Sequence, residues 1–233
     1  MATLEDYIYR DQMQDDDQYV RRFYHDARRA ETVTKWPLVA MMLTAMFCLG
    51  ASTFCHTYYC QSHKISRIVS CLDYWGISIL FLGTTYPFIS FKYACGPYIV
   101  WRYIFVSIIT VMTGLCMYVT MSDKFLSPKP RVTLFVIFGL STAIPTFGLA
   151  FWGDSQYTLD ANLIEFSYAL LAYIIGLGFY VSRVPECLSK TGRYDFFGHS
   201  HQIFHCFVLL GVALTIWDAF NTYEKRLAFV CPD

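Results

Sequence analysis

Six stretches of this chain are each long and apolar enough to cross a lipid bilayer, which demands roughly 20 predominantly apolar residues per helix. They are Trp36–Cys55, Tyr74–Phe91, Tyr98–Met121, Val132–Phe151, Leu163–Val181 and Ile203–Phe220. The runs are continuous, without the period-two alternation of barrel strands, so they predict helices. Pro87, Pro145 and the pair Gly176 and Gly178 fall inside them. Such residues are tolerated in membrane helices, where neighbouring helices satisfy the freed backbone groups. The expected fold is an all-α integral membrane bundle of six spans over residues 36–221. A polar N-terminal segment (1–35) precedes it and a short tail (222–233) follows it.

Charge agrees with this reading. Charged residues make up 15% of the 233-residue chain, against about 25% in an average soluble domain. Fourteen of them lie in residues 1–35, eight acidic and six basic. The remainder cannot coat a soluble globule, and no basic patch suits a nucleic-acid partner. Membrane lipids are the expected surroundings. The start, MATLEDYIYRDQ, has no basic n-region leading into an apolar stretch, so no cleaved signal peptide is expected. Nine cysteines occur without a C-x-x-C pair, which argues against a zinc ribbon or a thioredoxin-like site.

Lys and Arg in short loops set orientation. Lys64, Arg67, Lys124, Lys129, Arg131, Arg183, Lys190 and Arg193 fall on one side, and Lys92, Arg102, Lys225 and Arg226 on the other. The first side is therefore expected to be cytosolic and the C-terminus outside or lumenal, in the plasma membrane or an endomembrane. The N-terminal segment, with its six basic residues, conflicts with an even number of spans. Cys95 and Cys231 both fall on the expected outer side and can form a disulfide if their Cα atoms approach within about 7 Å.

Ionisable groups at a membrane edge are costly and are functional candidates by default. Ser52 and His56 end the first span at i, i+4, on one helical face. Asp73 opens the second span, and His201 and His205 open the last, again at i, i+4. All three groups are expected at the cytosolic ends of their helices. His56, His201 and His205 suit a zinc ion of the open three-histidine kind, with Asp73 and Ser52 beside the metal's water. Plainer readings stand next to this one. Asp73 can be an N-cap, each histidine can be interfacial, and His63 or His199 can replace a ligand.

At these residues the chain resembles the progestin and adipoQ receptor family, the adiponectin receptors above all. The motifs are STFCHTYYCQSHKISR (Ser52–Arg67), LDYWGI (Leu72–Ile77), DKFLSPKPR (Asp123–Arg131), RVPE (Arg183–Glu186) and SHQIFH (Ser200–His205). The likeness runs from about Gly50 to the C-terminus. It implies a seven-helix fold with a cytosolic N-terminus and an outer C-terminus. It also implies a zinc ion held by His56, His201 and His205 near the cytosolic face, with Asp73 and Ser52 in the same constellation. The family's first helix has no counterpart in residues 1–35, so the six spans correspond to helices two to seven. The expected function is an adiponectin-receptor-like protein, signalling through zinc-dependent hydrolysis of a ceramide-type lipid amide. The alternative is a non-catalytic receptor or membrane-lipid regulator in which zinc is structural. Adiponectin-like proteins or steroids are the ligand classes the resemblance implies.

Overall fold

The computed structural model describes residues 33–122, 128–189, 192–194, 196–229 and 231. The charged head and most of the motif around Lys124 lie outside the described residues, as does Lys190. Six long helices follow in order: α1 (Trp36–Tyr58), α2 (His63–Lys92), α3 (Tyr98–Met121), α4 (Pro128–Trp152), α5 (Leu163–Ser182) and α6 (Ser200–Ala228). A 3₁₀ turn at Glu186–Leu188 lies between α5 and α6. Among the described residues there is no strand. All six helices are long and apolar enough to span a bilayer, so the chain is a multi-pass helical membrane protein.

Two helices are longer than their apolar stretches. α2 begins eleven residues before Tyr74, because Ser62 caps it by accepting from the Ile65 N–H (3.3 Å). Polar residues of the first turns then continue the helix beyond the apolar run. Asp73 therefore does not open the second span or cap it; it stands about three turns inside α2. At the other end of the chain, α6 runs on past Phe220 to Ala228, with Lys225 and Arg226 in its last turn, where basic side chains complement the helix dipole.

α2 is the hub of the bundle, packing against α1, α3, α4 and α6. Its contact with α1 is close because Gly76 and Gly83, one heptad apart, face Cys48 and Thr44 with no room for a Cβ. The pairing of α5 with α6 repeats the device: Gly176 meets Phe207 and Gly211 meets the Tyr173 ring. Small residues that let backbones approach are the usual basis of helix association in lipid. Trp75 ties α2 to α3 by donating to the Met117 carbonyl (3.3 Å). Tyr93, just past α2, donates its hydroxyl to the Pro145 carbonyl of α4. Burial, reinforced by Tyr98, pushes that phenol well above its ordinary value, which keeps the donor protonated.

The surface is apolar and the interior carries polar groups. Large side chains such as Val111, Tyr118 and Phe151 point outward, whereas Ser78, Lys92, Asp218 and Thr222 are buried. That distribution suits a lipid solvent. At the end of the bundle where α2 and α6 terminate, Cys95 and Cys231 form a disulfide with Cα atoms 5.4 Å apart. It joins the segment after α2 to the segment after α6. The other seven cysteines are free thiols, so alkylation of denatured, unreduced protein should add seven labels per chain. Nine labels would contradict the bond. Cys231→Ala should lower stability by about 2–4 kcal/mol in a chemical-denaturation series.

Candidate metal centre

Opposite the disulfide, the end of α1 meets the start of α6. His56 lies in the last turn of α1, and His201 and His205 occupy successive turns at the start of α6. The Nε2 atoms of His56 and His201 are 3.2 Å apart, as are those of His201 and His205. One ligand atom from each of the three lies within 4.8 Å of the others. The rings meet edge to face, with interplanar angles of 64°, 88° and 85°. Nitrogens at this spacing either share a proton or share a cation.

The donor set fits zinc. Two imidazole nitrogens bonded to a tetrahedral zinc at about 2.05 Å stand about 3.3 Å apart, close to the spacing found. His56 is exposed, and His201 and His205 are half-buried. The three can hold a divalent cation while leaving coordination positions open. Among the described residues, neither His63 nor His199 belongs to the cluster. His199 is instead the N-cap of α6, its Nδ1 accepting from the Gln202 N–H (3.4 Å).

Asp73 reaches the same region from α2, where Ser52 and His56 are its polar neighbours. Ser52 is buried, one turn before His56 on α1. All five candidate residues thus gather at one end of the bundle, although Asp73 arrives from the body of a helix and not from its tip. Tyr180 of α5 packs its ring against His201, with centroids 5.5 Å apart.

A cavity of about 360 Å³ opens from this cluster into the bundle. Ser52, Asp73, His201 and His205 line one end of it, and Lys92 and Asp218 the other. The wall between them is largely apolar, with Leu80, Phe81, Phe135 and Leu177 among its residues. Such a shape and volume fall within the usual range of small-molecule sites.

The sequence matches the family model described as haemolysin-III related over residues 20–216. The chain belongs to this family, which includes the progestin and adipoQ receptors. The match begins some thirty residues before Gly50, so the likeness reaches into the polar head. The chain is 38% identical over 211 residues to heptahelical transmembrane protein 1 of Arabidopsis thaliana, covering 88% of this chain and 60% of that protein. It is 35% identical over 207 residues to heptahelical transmembrane protein ADIPOR2 of Oryza sativa subsp. japonica, covering 85% and 88%. With the adiponectin receptor protein of Drosophila melanogaster it shares 34% over 185 residues, covering 77% and 40%. The chain spans about half to three-fifths of the length of several of these relatives.

Two features, one beside the histidines and one at the far end of the cavity, are not evident from the residues alone. The first is Glu186, quoted above only as the end of a motif. Its carboxylate accepts from the Ser200 N–H (2.9 Å) and the Ser200 hydroxyl (2.8 Å), tying the turn after α5 to the first residue of α6. The second is Lys92, counted as a loop charge although it is 2% exposed. A lysine inside FISFKYACG and an aspartate inside TIWDAF were the available signals.

Partial burial pushes the Glu186 carboxyl up, but hydrogen bonds from its own backbone and from Ser200 outweigh this and hold it below the ordinary 4.5. The carboxylate tie is thus fully present above that value and is lost as pH falls through the lower folded value. Glu186→Gln should speed hydrogen exchange at Ser200 at neutral pH. In the wild type the same amide should lose protection only as acid titrates the carboxylate. Unchanged exchange in the variant would show that the tie does not hold the start of α6.

Proposed function

We propose that this chain is an adiponectin-receptor-like membrane protein whose His56, His201 and His205 hold a zinc ion, and that it hydrolyses a lipid amide of the ceramide type. The observation that carries the reading is the approach of three imidazole nitrogens, at zinc-ligand spacing, to the mouth of an apolar cavity. The distribution of Lys and Arg between the loops supports a cytosolic mouth and a disulfide outside or in the lumen.

A bound zinc would supply a Lewis acid that polarises a carbonyl and acidifies water. The chain's own residues do the rest. The apolar wall holds the acyl chain and places the amide carbonyl at the polar end. Asp73 takes a proton from the attacking water as the water oxygen bonds to the carbonyl carbon. It returns that proton to the nitrogen as the C–N bond breaks, leaving a fatty acid and an amine. Ser52 orients the Asp73 carboxyl.

Zinc-loaded protein in detergent should release fatty acid from a ceramide, followed by mass spectrometry. His205→Ala should abolish release. Asp73→Asn should lower it by about 10²–10⁴-fold, the usual worth of a general base, while leaving the metal bound. Absence of release from folded, zinc-loaded wild type would defeat the hydrolase reading. It would favour the second one, a receptor in which the metal clamps α1 to α6. That alternative draws on the origin of the three ligands from helices whose own contact is small.

A further inference from the structure

The end of the cavity away from the histidines is a polar pole set in an otherwise apolar bundle. Lys92, the last residue of α2, and Asp218, in α6, are each 2% exposed, and both line the cavity. The Lys92 ammonium donates to the Ala161 carbonyl (2.8 Å). An ammonium has three hydrogens to donate. Asp218 is positioned by Asn162, whose Nδ2 donates to Oδ1 at 3.2 Å. Asn162 is in turn held by Lys225, which donates to its Oδ1 at 2.7 Å. The carboxylate is thus braced from the protein side and still borders the cavity.

We propose that this pole is a second ligand site, which binds the hydroxylated head of a neutral single-chain lipid whose tail runs towards the histidines. The charges select the ligand class. Lys225, Glu165 and Asp160 also stand near Lys92, but of these charged groups Lys92 and Asp218 border the cavity, so an ionic head would pair with one of the two and oppose the other. A hydroxyl can accept from Lys92 and donate to Asp218, and a vicinal diol can do both at once. The length fits as well. Lys92 and Asp73 are nineteen residues apart on one helix, about 28 Å at 1.5 Å per residue, and the wall between them is apolar. A lipid bound this way occupies the space that an acyl chain at the histidine end would need, so the two compete.

The site stands whether or not the histidines hold a metal, and its test leaves them untouched. Full-length protein is titrated with 1-monooleoylglycerol, oleate and sphingosine by native mass spectrometry in detergent. The monoacylglycerol should bind tightest. Lys92→Met and Asp218→Asn should each weaken it about tenfold, the loss of roughly one charge-assisted hydrogen bond. Tighter binding of oleate or sphingosine, or undiminished binding to both variants, overturns the proposal. Wild-type protein supplies a control in case the variants do not fold. A monoacylglycerol carrying a diazirine at the end of its chain should label the cavity beside Ser52 and Tyr74. Labelling confined to the neighbourhood of Lys92 would mean the reverse orientation and would also overturn it.

Discussion

Three imidazoles can meet in this protein because α1 and α6 share α2 as a neighbour and both present a histidine face at the same depth. The meeting depends on close backbone approach. Gly76 and Gly83 let α1 settle against α2, and Gly176 and Gly211 let α5 settle against α6. A side chain at any of these glycines would push a helix outward. At Gly76 or Gly83 the displaced helix would be α1, and the 3.2 Å spacing between the Nε2 atoms of His56 and His201 would open with it. In a lipid solvent there is no hydrophobic drive to restore the contact, since tails are as apolar as the helix surface. Precise packing of small residues therefore underlies the meeting of the histidines.

The same solvent explains why polar residues inside the bundle are the candidates for function. An aspartate or lysine at the centre of a membrane helix is disfavoured by about 2.5–3.5 kcal/mol on insertion scales. This chain nonetheless places Asp73, Lys92 and Asp218 on the wall of one cavity. They sit at its two ends, with an apolar stretch between. One end is built from imidazoles and a carboxyl, a set that favours a cation. The other combines an ammonium and a carboxylate, a set that favours a neutral hydrogen-bonding group. A cavity with unlike ends imposes a direction on whatever amphiphile enters it.

Much of this was legible in the amino-acid sequence. Long uninterrupted apolar runs leave few alternatives to membrane helices, so the six spans and the all-α class followed directly. The i, i+4 spacings of Ser52 with His56 and of His201 with His205 fixed which side chains share a face. What apolar runs do not encode is where a helix begins beyond them. α2 starts at His63 because of the Ser62 cap, and Asp73 consequently stands inside the helix. Nor does a linear reading show which loop charge turns inward. Lys92 adjoins the last apolar run and resembles an orienting charge. Only its hydrogen bond to the Ala161 carbonyl and its burial reveal an inward-facing group. His199 shows the converse: its proximity to His201 suggested a substitute ligand, and it serves as a helix cap.

Whether the histidine cluster holds zinc is tested most directly by metal content. Full-length protein purified in detergent, supplied with zinc and then freed of excess, is analysed by inductively coupled plasma mass spectrometry. A His201→Ala/His205→Ala variant of matching elution profile is analysed beside it. About one zinc per wild-type chain is expected, as for a three-histidine site, and almost none in the variant. A folded wild type without zinc, or a variant that keeps it, would contradict zinc binding by the cluster.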